Sequence, residues 1–143
     1  MRRALQVKPG VLRAVAEAAE RTMVKTFALS ADQIRRDVAP GRGGCLATDE
    51  VTVKGLGVNF MYREEPDDDL DSGWRFFSGT ESQGYVDDPR NLEIYEVNTI
   101  ANYSPDIVAW LDTPPGAAFE RGVDGVLRPI DDFPFRPTEE ERS

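Results

Sequence analysis

Histidine is absent from the 143 residues of this chain, and cysteine occurs once, at Cys45. Without histidine, Ser-His-Asp and Cys-His hydrolysis, imidazole acid–base work and most transition-metal sites lose their usual residue. A single thiol cannot close an internal disulfide, and with no histidine to activate it Cys45 reads as a buried structural residue. No run approaches the ~18 apolar residues of a membrane span. The basic N-terminus has no apolar stretch behind it, so it does not read as a secretory signal. Walker loops, dinucleotide glycine fingerprints and paired Cys-x-x-Cys motifs are missing too. These absences point to a cytoplasmic protein that is not an enzyme and needs no cofactor or metal. Chemistry by carboxylate, lysine or tyrosine is the route they leave open.

What is present suits one globular domain with a terminal appendage: 40% hydrophobic residues, with seven Phe, four Tyr and two Trp to build a core. The formal net charge is −9, and it is unevenly spread. Residues 1–38 carry eight basic and four acidic side chains, the remaining 105 carry nine and 22. An acidic body repels phosphate backbones and anionic lipid and attracts cations, so the expected partner is a basic protein, not nucleic acid or a membrane. The same acidity also serves solubility. Whether the chain is a monomer or a homodimer is left open.

Along the chain the hydrophobic period changes once. From Val11 to about Leu29, Leu12, Val15, Ala16, Ala19, Met23 and Phe27 recur at helical spacing behind Pro9-Gly10, which predicts a helix. Ser30-Ala31-Asp32-Gln33 has the form of a capping box and predicts a second short helix to about Asp37. Ala39 to Gly44 is a breaker cluster, which sets a boundary between an N-terminal helical extension (1–38) and the main domain (39–132). Beyond it the pattern alternates. Strands are expected at Cys45–Thr48, Val51–Val53, Val58–Arg63, Trp74–Ser78 and Leu92–Val97, with Val58–Arg63 and Trp74–Ser78 as an antiparallel pair. Asn98–Tyr103 reads as a polar loop that ties neighbouring elements together or, less simply, meets a ligand. Ser104-Pro105-Asp106 starts a helix that stops at Pro114. Ala117–Val123 and Val126–Ile130 flank Asp124-Gly125, a hairpin signal. Residues 133–143 read as a frayed acidic tail. The sum is an α+β fold: N-terminal helices, then an antiparallel sheet of about five strands with one further short helix.

The connection between the two best strands runs from Glu64 to Gly73, and six of its first eight positions are acids: Glu64, Glu65, Asp67, Asp68, Asp69 and Asp71. Hairpin loops usually have two to five residues, so this one calls for a reason. Asp67, Asp69 and Asp71 have the spacing that opens an EF-hand loop, but Ser72 and Ser78 stand where the loop needs Gly and Glu, and strands flank it. A solvated acidic turn and a contact loop for a cationic partner are the other two readings. Asp87 and Asp88 extend the acidic set, and Trp74 and Tyr85 are the aromatic anchors beside it. Phe77 falls on the face opposite Trp74 and Phe76, so the sheet has apolar groups on both sides. One of these faces is covered by the N-terminal helices or is an interaction patch.

Three segments also resemble a known family in wording and order: Phe60-Met61-Tyr62-Arg63-Glu64-Glu65-Pro66, then Asp71-Ser72-Gly73-Trp74-Arg75-Phe76-Phe77-Ser78-Gly79, then Ile94-Tyr95-Glu96-Val97-Asn98-Thr99-Ile100-Ala101-Asn102-Tyr103. They are similar to the thirty-third immunity-protein family of bacterial polymorphic toxin systems, over about residues 44–122. The resemblance implies a protein that neutralises a cognate toxin by binding it, with no catalytic residues to carry over. The alternative class is a small-ligand or calcium-binding sensor module.

Overall fold

A computed structural model describes residues 5–20, 24–131 and 133. Its centre is a six-stranded sheet in the order β4-β1-β3-β2-β5-β6. The strands are β1 (Gly44–Thr48), β2 (Phe60–Arg63), β3 (Asp71–Phe77), β4 (Leu92–Glu96), β5 (Ala118–Arg121) and β6 (Leu127–Pro129). The helices are α1 (Val11–Ala19), α2 (Asp49–Thr52), α3 (Gln83–Asp87) and α4 (Val97–Tyr103), with a 3-10 helix at Pro105–Trp110. The class is α+β. Among the described residues no helix is long and apolar enough to cross a membrane.

The sheet is mixed, not antiparallel throughout. β2 and β3 pair antiparallel as expected, Phe60 opposite Phe77 and Arg63 opposite Trp74. β1, however, lies parallel to β3, with Gly44 beside Asp71 and Ala47 beside Phe76. Local alternation carries no information on strand direction or order, so this pairing is invisible to it. The β5–β6 hairpin forms, with Gly125 at φ 82° in its turn.

Alternation does sort the side chains. Cys45, Ala47, Met61, Trp74, Phe76 and Phe119 face one layer, where Val97, Ile100 and Ala101 of α4 and Ile107 and Leu111 close the core. Leu46, Phe60, Tyr62, Phe77 and Leu92 face the other, and Leu5, Val7, Val11, Val15 and Phe133 cover them. The Val7 N–H donates to the Tyr62 hydroxyl at 2.7 Å. The second apolar face is thus covered by the N-terminal segment. Val58 lies before β2 instead of within it and packs in the first layer.

Several local expectations fail for identifiable reasons. α1 ends at Ala19, and residues 24–29 are not helical. Lys25 is drawn between Asp49 (2.9 Å) and Glu93 (3.1 Å), and the Ala28 N–H donates to the Thr52 carbonyl, contacts that a continued helix would forfeit. The second helix shrinks to one 3-10 turn, Ala31–Gln33, though the Ser30 N–H does donate to the Gln33 side chain. Val51–Val53 belongs to α2 and its end, with Asp49 and Glu50 favouring the positive helix start. Asn98–Tyr103 is helix α4, not a loop. Its asparagines do tie elements together: Asn98 accepts from the Ala39 N–H and donates to the Arg35 carbonyl, both at 2.7 Å. Ser104 leaves its helix uncapped and accepts from the Val58 N–H instead. Apart from Phe133, the expected frayed tail lies outside the described residues.

Candidate functional site

Because β3 begins at Asp71, the acidic connection is the seven residues 64–70. Its root is buried. Arg75, 2% exposed, points back along β3 and donates to both Asp71 oxygens at 2.8 Å each and to Glu64 at 2.6 Å. Asp71 also accepts from the backbone N–H groups of Asp67 (2.8 Å) and Gly73 (2.9 Å). Burial pushes the Asp71 carboxyl up, but the hydrogen bonds from Arg75 and these two amides outweigh it and hold the group below the usual carboxylate range. Glu64 behaves oppositely: desolvation pushes its carboxyl up and the pull of Arg75 does not fully offset it. Arg75 loses hydration, yet the Asp71 and Glu64 contacts hold its guanidinium firmly protonated.

The backbone completes the clamp. Ser72 donates to the Gly44 carbonyl (2.6 Å), and the Gly44 N–H donates to the Leu70 carbonyl (2.7 Å), sewing the loop to β1. Gly73 holds φ 88°, and a Cβ there would stand 2.1 Å from the Glu64 carbonyl oxygen, so no other residue fits. Asp68 accepts from the N–H groups of Leu70 (2.9 Å) and Asp71 (3.0 Å), which turns the chain at the crest.

Above this root, Glu65, Asp67, Asp68 and Asp69 are exposed, and none makes an ion pair among the described residues. With Asp71 committed to Arg75, the Asp67/Asp69/Asp71 spacing does not converge on an ion site. Among the described residues no group of three or more acids is placed to hold a metal.

The other sequence-predicted positions lie elsewhere. Trp74 is 1% exposed in the core, stacked on Phe76 at 6.0 Å, with its indole N–H directed at the Leu111 carbonyl. Asp88 precedes β4, whose Leu92 pairs with Thr48, whereas the loop meets β1 at Gly44; the two acidic stretches therefore mark opposite ends of the sheet. Asp88 caps the turn Pro89–Asn91 and binds Arg90, whose hydrogen bonds lower its carboxyl to about 2. Asp87 accepts from Gln83, and Lys8 stands 3.9 Å away. Tyr85 is half-buried, and burial with the nearby Asp49, Glu50 and Glu81 carboxylates pushes its phenol up. Cys45 is fully buried and desolvation pushes its thiol up, which keeps it protonated.

A feature the sequence did not reveal adjoins the loop. A groove of about 770 Å³ opens between Leu12 and Ala16 of α1, the Gly43-Gly44 corner, Leu70 and Ile94. Its parts are distant in sequence, which is why no local pattern announced it.

The family model of the Immunity protein Imm33 domain matches residues 45–131, more than half of the chain. The chain belongs to that family. The match takes in the whole acidic loop, its Arg75 root and all six strands but the first residue of β1, while α1 lies outside it. No curated protein and no solved structure matches the chain.

Proposed function

We propose that the chain neutralises a bacterial toxin by direct contact, performing no chemistry of its own, inside the cell that it protects. Membership of an immunity-protein family carries this reading, and the acidic crest supplies its physical basis. Four exposed carboxylates, none in an ion pair among the described residues, are held on a buried root, so their field is preorganised for a cationic surface. A field of this sign raises the association rate of a basic toxin domain and disfavours nucleic acid and anionic membranes.

The test is co-purification of the tagged protein with the product of its neighbouring gene, repeated with Asp67, Asp68 and Asp69 changed to Asn. Asp71 is left intact because its loss would damage the fold. A stoichiometric basic partner whose binding weakens in the triple variant is the expected result. A partner retained at full strength would move the contact off the loop, and the absence of any partner would overturn the toxin reading.

A further inference from the structure

We propose that the groove between α1 and the acidic loop receives an apolar side chain of the partner that is flanked by lysine or arginine. The inference rests on the reading of the loop as a partner-facing surface and names the chemistry which that surface selects.

Apolar surface lies uncovered along the groove. Leu70 is 81% exposed at its rim and Ile94 is 42% exposed on its floor. Isolated exposed leucines are ordinary, but these two border one concavity of about 770 Å³, within the size range that binding pockets occupy. The rim is charged, and its two arginines are already matched: Arg13 pairs with Glu17 at 3.2 Å and Arg42 with Asp112. Asp67, Asp68 and Glu96 on the same rim make no ion pair among the described residues. The uncompensated charge is negative, so a cationic flank complements it.

The polar inventory argues for a protein segment over a polar metabolite. Among the described residues, every buried side-chain nitrogen and oxygen already has a partner. The groove therefore offers shape and field, with no buried side-chain nitrogen or oxygen among the described residues left unpaired for a small ligand. One wall, Leu12 and Ala16 of α1, lies outside the residues that match the family, so this wall tunes partner choice separately from the shared domain.

The full chain with methyl-labelled leucine and isoleucine provides the test. The probes are a short peptide with tryptophan between two arginines and its counterpart with two glutamates. The expected result is saturable movement of the Leu70 and Ile94 methyl signals with the basic peptide, at least tenfold weaker with the acidic one. Ala16→Trp, which fills the groove from an exposed helical position, should abolish the movement while its melting temperature stays that of the wild type. No movement, equal movement with both peptides, or movement driven only by the protein's own concentration would each overturn the proposal. A neighbouring-gene toxin that binds Ala16→Trp as well as wild type would overturn it too, while leaving the neutralising function standing. A groove that responds as expected in a chain that captures no toxin would separate the two in the other direction.

Discussion

The root and the crest of one loop use the same residue type for opposite purposes. At the root, Asp71 and Glu64 surround Arg75, and their charges are spent on holding the chain in place. At the crest, Glu65, Asp67, Asp68 and Asp69 face solvent with no ion pair among the described residues. Net charge counts both groups alike. Burial separates them: a desolvated carboxylate must be paired, whereas an exposed one costs little and keeps its field.

The sharpest way to break this comparison is Arg75→Ala. It strands a buried carboxylate, and the loss expected on urea denaturation is about 3–5 kcal/mol. A loss under about 1 kcal/mol would mean that the root is not a clamp. Gly73→Ala comes next, because its Cβ meets the Glu64 carbonyl in a left-handed backbone; strain on the order of 2–3 kcal/mol should appear in the same assay.

Acid titration gives a third test. Asp71 has a lowered folded pKa, so its contribution is present above the unfolded value near ~3.9 and fades as pH falls through the folded one. Glu64, with a raised folded pKa, has the opposite sign: its contribution is full below the unfolded value near ~4.3 and is lost as pH rises through the folded one. Asp71→Asn should therefore flatten the acid limb of the stability curve, and Glu64→Gln should not. If the two variants lose the same acid dependence, the assignment of the clamp to Asp71 fails.

The smallest effect on stability belongs to the crest. Asp67→Asn, Asp68→Asn and Asp69→Asn should each shift unfolding by no more than about 0.5 kcal/mol. In Asp68→Asn the new amide oxygen would still accept from the Leu70 N–H that turns the loop. Stopped-flow association of the triple variant with a basic toxin domain should nevertheless slow by roughly tenfold at low salt and lose much of its salt dependence. Unchanged kinetics in that variant would leave the crest as ordinary solvated surface.

Much of the fold was open to reading. The β2–β3 pairing, the opposition of Phe77 to Trp74 and Phe76, and the turn at Gly125 follow from alternation and turn chemistry, which act over a few residues. The α4 helix was readable as well: Val97, Ile100 and Ala101 have helical spacing, masked by the polar Asn98, Thr99 and Asn102 between them. The acidic loop was found as a candidate site, but the burial of Asp71 and Trp74 could not be read locally, because it is set by segments that meet β3 from elsewhere in the chain, such as Gly44 beside Asp71 and Leu111 against Trp74.

By itself the sequence determined which residues alternate, where the breakers fall, that the body is acidic and that His-dependent chemistry is closed to it. These are properties of composition and of neighbours within a few positions. Only the tertiary structure decided that β1 runs parallel beside β3, that residues 5–15 seal the aromatic face, and that one stretch of acids divides into a buried clamp and an exposed crest. The physical reason is shared: pairing direction, face coverage and desolvation depend on segments that meet only when the chain has closed on itself, so no local window contains them.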